Sequence, residues 1–171
     1  MSELQLVSTP TEVPEGPAPS LVRALRGYFE TGATRPLSWR LGQLDAIGHF
    51  LMEREEDIFA ALAADLGKPA TEAFGAEIGV TLTELRLSRK KLRSWMKPER
   101  VGTSAVAMPG RSHIYREPLG VTLIIGAWNY PLQLVLLPLV GAIAAGNCAV
   151  LKPSEVAPNV SALLAKWVPK Y

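Results

Sequence analysis

Residues 120–131 read Gly120-Val121-Thr122-Leu123-Ile124-Ile125-Gly126-Ala127-Trp128-Asn129-Tyr130-Pro131, and residues 146–155 read Gly146-Asn147-Cys148-Ala149-Val150-Leu151-Lys152-Pro153-Ser154-Glu155. The first block opens with a dense β-branched run, 121–125, which predicts a buried strand. Residues 126–130 form a turn. Residues 131–145 are apolar on every side, which predicts a buried helix; Pro138 either bends it or sets its true start. Gly146-Asn147 is a helix C-cap and loop, and 148–151 is a second strand. A last helix is expected from Pro158 to about Trp167. Strand, crossover helix, strand is the repeating unit of a parallel, doubly wound sheet, so the fold class is α/β.

No charged residue occurs between Pro118 and Leu151. By hydropathy alone such a run is also a membrane-span candidate. The glycines, prolines, Asn129, Gln133 and Asn147 cut it into pieces of strand or core-helix length. A parallel sheet buried on both faces produces such continuous apolar strands, so no membrane span is expected.

Upstream the pattern is helical. Residues 1–19 carry Pro10, Pro14, Pro17 and Pro19 with little apolar content and read as a flexible arm. Helices are expected at 20–31 (Leu21, Leu25, Tyr28), from Pro36 onward (Leu37, Leu41, Leu44, Leu51) and from Glu55-Glu56-Asp57 to a Gly67 C-cap. A fourth runs from Thr71 or Glu77 to Met96 and is stopped by Pro98. Its basic end (Arg86, Arg89, Lys90, Lys91, Arg93, Lys97, Arg100) reads as a solvated face rather than a nucleic-acid surface, because the net charge of +2 offers no wider basic field. Residues 101–117 read as two short strands around a Pro109-Gly110 turn, with His113 an ordinary strand residue.

The totals fit a globular chain of one domain or slightly more: 171 residues, 48% hydrophobic, 20% charged. The single cysteine, Cys148, excludes an internal disulfide and suits a reducing compartment. With two well-separated histidines, no zinc-ligand spacing can be written, and no metal site is expected. The N-terminus lacks the pattern of a secretory signal, so a cytoplasmic location is expected.

In an open parallel sheet, ligands bind beyond the carboxyl ends of the strands. Two segments fall there: 127–131 and 152–155. Asn129 is an amide between aromatics, and Lys152 and Glu155 are the first charges after the apolar run. Together they make a polar site. Each also has a plainer reading: Asn129 as a turn residue, Glu155 as a charge favouring the next helix's dipole, Lys152 as a surface charge. Neither G-x-G-x-x-G nor a Walker A lysine motif is present.

At these residues the sequence resembles the aldehyde dehydrogenase superfamily, most closely its class 3 branch. The matching stretches are Asp65-Leu66-Gly67-Lys68-Pro69, Glu72-Ala73, Glu77-Ile78-Gly79, Trp95-Met96-Lys97-Pro98, Arg116-Glu117-Pro118-Leu119-Gly120-Val121, Ile124 to Pro131, Gly141 to Asn147 and Lys152-Pro153-Ser154-Glu155. They arrive in family order across residues 20–171. The resemblance implies an incomplete aldehyde dehydrogenase fold: a helical part of the cofactor-binding domain at 20–100, a hairpin of the oligomerisation region at 101–118, and the first half of a Rossmann-like domain at 119–171.

The resemblance further implies roles. Asn129 would donate its side-chain amide to the oxyanion that forms when a cysteine thiolate attacks the aldehyde carbon. Hydride would then pass to a nicotinamide, leaving a thioester for hydrolysis. Lys152 and Glu155 would hydrogen-bond the adenosine ribose, Ile125, Gly126, Ala127 and Trp128 would line the cofactor, and Tyr130 would sit at the substrate channel. NAD is the first choice of cofactor, with NADP open, and a homodimer is expected of the parent enzyme. The family's downstream cysteine motif and glutamate base do not occur here. Cys148 reads as a buried structural thiol. The expectation is therefore an N-terminal fragment, inactive alone. The rivals are a non-enzymatic binding or decoy module and a membrane-associated protein.

Overall fold

The computed structural model describes residues 17–171, so the expected arm at 1–19 lies almost wholly outside the described residues. Helix α1 (Pro17–Glu30) starts slightly before its expected place. Helix α2 (Leu37–Glu53) follows Pro36, whose extended backbone precedes the first turn. Leu44 and Leu51 of its stripe are fully buried, while Leu37 and Leu41 pack at the margin of the core. Helix α3 (Glu55–Leu66) opens on its three acids, which favour the positive end of the helix dipole, and ends at Gly67 in the left-handed conformation.

The fourth expected helix is not regular. It consists of α4 (Ala70–Ala73), a π-helical turn at Phe74–Gly79 and α5 (Val80–Trp95). A π turn carries one surplus residue. Here it turns Glu77 and Ile78 inward together, both fully buried. A strict helical period cannot reveal this, because the extra residue breaks the register on which the period depends.

The expected strand pair is present but displaced. Strand β1 (Glu99–Val101) begins directly after Pro98 and pairs antiparallel with β2 (Ser112–Ile114). The connection is a ten-residue loop with a short 3₁₀ turn at Ala105–Ala107, so Tyr115 and Glu117 fall beyond the ladder. Val106, Met108 and Tyr115 are exposed there.

Strands β3 (Val121–Ile125) and β4 (Cys148–Lys152) pair in parallel, with Val121 opposite Cys148 and Ile125 opposite Lys152. Strand β3 is in its expected place but is not the buried strand expected: Ile124 alone is buried, while Leu123 and Ile125 are exposed at 62% and 67%, because α6 covers one face and the face bearing those two side chains is left open. Between them, α6 (Gln133–Ala145) passes through Pro138 without a break, so that proline does not set the helix start. The helix begins two residues later than expected because Pro131 and Leu132 belong to the preceding turn. Val135, Leu136, Leu139, Val140, Ile143 and Ala144 are buried, as an all-apolar helix requires. Its end is a Schellman motif: Gly146 has φ 88°, its N–H donates to Ile143, and the Asn147 N–H donates to Ala142. Among the described residues no helix is long and apolar enough to cross a membrane, and the apolar run is divided among β3, α6 and β4.

Helix α7 (Pro158–Trp167) packs on α3. Its start is capped from that neighbour. Asp65 Oδ1 accepts from the Asn159 backbone N–H (3.0 Å) and from Asn159 Nδ2 (2.6 Å), and Oδ2 accepts from the Val160 N–H (2.8 Å). These are donors of the helix's first turn, which have no partner within the helix itself.

Candidate functional site

The parallel register brings the carboxyl ends of β3 and β4 to one edge. The Gly126 N–H donates to the Lys152 carbonyl at 3.0 Å, so the two loops leave the sheet side by side. Gly126 is buried, and a Cβ there would lie 2.4 Å from Val135 Cγ2. Only glycine lets the first loop leave β3 this close to α6.

From this edge the predicted residues separate into two groups. In one, Lys152 and Glu155 form an ion pair with each other, both exposed. The hydrogen bond from Lys152, helped by the backbone N–H of Glu155 itself and by the lysine's charge, holds the Glu155 carboxyl below its ordinary range. The capping bonds at the start of α7 come from Asp65 and not from Glu155. Ile125 and Trp128 are also exposed at this edge, at 67% and 59%.

In the other group, Asn129 and Tyr130 are held by two charges, Lys68 and Glu77, to which the sequence pattern assigns no role. Lys68 Nζ donates to Glu77 Oε1 (2.5 Å) and to the Asn129 carbonyl (2.9 Å), and it lies 4.1 Å from the centre of the Tyr130 ring. Glu77 Oε2 accepts from the backbone N–H groups of Leu132 (3.0 Å) and Gln133 (2.9 Å), at the start of α6. The Lys68 and Glu77 side chains are only 8% and 0% exposed. Among the described residues no hydrogen bond joins this group to the Lys152–Glu155 pair.

The far end of α6 is held as well. Arg40, buried in α2, donates from Nη1 to the Ala144 carbonyl (3.0 Å) and from Nε to the Thr34 carbonyl (3.2 Å). Thus α6 meets a carboxylate at its positive end and a guanidinium at its negative end. The burial of Arg40 left a trace in sequence, since it falls at helical spacing between Leu37 and Leu44, and a buried charge is almost always paired, although the pattern does not name its partner. Glu77 left none, because the π turn takes it out of the helical period.

Cys148 lies at the opposite end of β4 from Lys152, 7% exposed, and burial pushes its thiol up. A raised, buried thiol has little thiolate with which to attack a carbonyl. A cavity of about 290 Å³ beside it is lined by apolar side chains including Leu25, Trp39, Phe50 and Leu136, and no predicted site residue lines it.

A model of the aldehyde dehydrogenase family matches residues 9–170. The chain belongs to the aldehyde dehydrogenase family. It is 49% identical over 151 residues to aldehyde dehydrogenase family 3 member I1, chloroplastic, of Arabidopsis thaliana, covering 88% of this chain and 28% of that protein. A solved structure of Staphylococcus aureus AldH in a substrate-bound state superposes with a TM-score of 0.88 at 40% identity, covering 91% of this chain and 34% of that one. Aldehyde dehydrogenase C of Pseudomonas syringae, solved as a C291A variant with NAD+ and octanal, superposes with a TM-score of 0.70 at 28% identity, covering 87% and 29%. The chain therefore spans about a third of the length of the aldehyde dehydrogenases it matches. Its helices, its partial parallel sheet and the two loops at the sheet's edge are an incomplete aldehyde dehydrogenase fold.

Proposed function

We propose that these 171 residues supply the oxyanion donor and one side of the cofactor site of an NAD(P)-dependent aldehyde dehydrogenase, which converts aldehydes to carboxylic acids through a thiohemiacetal and a thioester. The observation that carries this reading is the shared edge: the loop bearing Asn129 and the loop bearing Lys152 and Glu155 leave adjacent parallel strands at their carboxyl ends. That is where open α/β sheets bind ligands.

Asn129 offers an exposed amide on a backbone that is held from behind. An N–H donor fixed in advance stabilises a developing alkoxide without reorganising during the reaction. Lys152 and Glu155 offer one cationic donor and one carboxylate acceptor, which suits a ribose diol. A carboxylate there disfavours a 2′-phosphate, so NAD is favoured over NADP. The exposed Ile125 and Trp128, with Gly126 and Ala127 between them, make a flat shelf for the cofactor beside that pair, and Tyr130 borders the substrate channel. A bound nicotinamide cofactor would supply the hydride acceptor. The nucleophilic cysteine must come from outside these residues, since Cys148 is buried at the wrong end of β4. Residues 101–118 would serve the oligomeric contact of a homodimer.

The test is to complete this chain with the remaining two thirds of a family member and measure aldehyde oxidation. Asn129→Ala should lower kcat by about a hundredfold or more, as loss of one oxyanion donor does elsewhere. Lys152→Ala should chiefly raise the KM for NAD. The 171-residue chain alone should oxidise no aldehyde. An Asn129→Ala enzyme with unchanged kcat, or activity of the chain alone, would refute the reading.

A further inference from the structure

We propose that the buried Lys68–Glu77 pair is the positioning device of the oxyanion donor, fixing where the Asn129 amide points without touching the reacting atoms. This rests on the reading of Asn129 given above.

The pair grips the main chain at Asn129 and over the four residues that follow it. Lys68 holds the Asn129 carbonyl and lies against the Tyr130 ring, and Glu77 holds the N–H groups of Leu132 and Gln133. Pro131, between them, has a φ fixed by its own ring. Every residue from Asn129 to Gln133 is thereby held either by the pair or by its own covalent geometry. What remains free at Asn129 is the rotation of a short side chain, which reaches the solvent-exposed edge of the sheet.

Stability alone does not require such a pair. Removing two charges from water costs several kcal/mol per ion, and apolar side chains of equal volume often stabilise a core as well or better. The pair delivers direction instead. An ammonium donates to oxygens or lies against a π-face at short range, and a carboxylate with both oxygens engaged fixes the line between its partners. The π turn at Phe74–Gly79 serves the same end, because it places Glu77 on the inner side of the helix at the level of the α6 start. Surplus-residue turns of this kind are frequent at functional sites. Lys68 itself is an unsuitable proton donor to substrate, since it is 8% exposed and already shared between Glu77 and Asn129. Its task is geometric, and geometry matters on this scale: a misplacement of about 1 Å can cost about a hundredfold in rate.

The experiment is a double-mutant cycle in the completed enzyme, between Glu77→Gln and Asn129→Ala. Glu77→Gln keeps the side chain's shape and discards its charge. It should lower kcat about tenfold or more, with the aldehyde KM within about twofold, because the effect falls on the transition state. On the Asn129→Ala background the same substitution should cost less than about twofold further, since residues that act as a unit are not additive. A Glu77→Gln loss that persists undiminished without Asn129, or a fall in Tm with kcat unchanged, overturns the positioning role while leaving the donor reading intact. An Asn129→Ala enzyme with full kcat overturns both. Should Glu77→Gln fail to fold, Lys68→Met in the same completed enzyme decides the matter by amide exchange. The Leu132 and Gln133 amides should exchange at least about tenfold faster, while those of Ile143 and Leu164 hold, the signature of a local opening. Equal exchange at all four sites overturns the proposal.

Discussion

The guanidinium of Arg40 occupies the space that a side chain on Gly146 would need: a Cβ there would lie 2.6 Å from Arg40 Cζ and Nη2. Gly146 also has φ 88°, a conformation that L side chains rarely adopt. Gly146→Ala therefore meets two penalties, backbone strain and displacement of the charge that caps α6. A loss of about 2–4 kcal/mol is expected from the two together, read from chemical denaturation. A loss below about 0.5 kcal/mol would mean that Arg40 swings aside freely, and that its bond to Ala144 contributes nothing.

A similar close approach governs Gly126. Its missing Cβ would lie 2.4 Å from Val135 Cγ2, so Gly126→Ala overfills the junction of β3 and α6. Overpacking of this kind costs about 1–3 kcal/mol. Val135→Ala should be destabilising alone yet should recover part of the loss when combined with Gly126→Ala. Strict additivity of the two in thermal unfolding would show that the contact is not the cause.

Asp65 separates capping from charge. Asp65→Ala removes the acceptors for Asn159 and Val160 and should cost about 1–2 kcal/mol. Asp65→Asn keeps an acceptor oxygen and should recover about half of that or more, because asparagine caps nearly as well as aspartate. Circular dichroism and denaturant midpoints of the two variants check this. Equal losses would mean that the carboxylate acts through its charge.

The Cys148 thiol titrates higher in the folded chain than in the unfolded one, because burial disfavours the thiolate. The folded state thus holds the proton to higher pH. Its contribution to stability is complete below the unfolded thiol's value of about 8.5 and declines as pH rises above it. Stability measured between about pH 8 and pH 10 should fall, and the fall should flatten in Cys148→Ala. Alkylation by iodoacetamide at pH 8 should be slow in the native chain and fast in denaturant. Rapid native alkylation would contradict the burial.

Much of the architecture was readable because its elements are strongly patterned. The β-branched run at Val121–Ile125, the all-apolar α6 and the Gly146-Asn147 stop sit where a simple pattern places them. The departures have local causes. The fourth helix is interrupted where a π turn shifts the period by one residue, and the strand pair starts earlier than its pattern suggests because Pro98 ends one element and starts the next at once. At the site, the exposed residues Asn129, Lys152 and Glu155 stood out as polar breaks in an apolar run. Their supports did not. Lys68, Glu77, Asp65 and Arg40 act across 61, 55, 95 and 104 positions of sequence, and no local pattern encodes contacts of that range.

The π turn also sets a rule about length. A π turn absorbs its surplus residue, so deleting one residue within 74–79 would close it to the ordinary 3.6 residues and leave α4 and α5 on their present faces. What would go is the doubled inward step: a regular helix there could bury one of Glu77 and Ile78, not both side by side. The length of this segment, more than its letters, keeps a carboxylate and a core side chain on one wall.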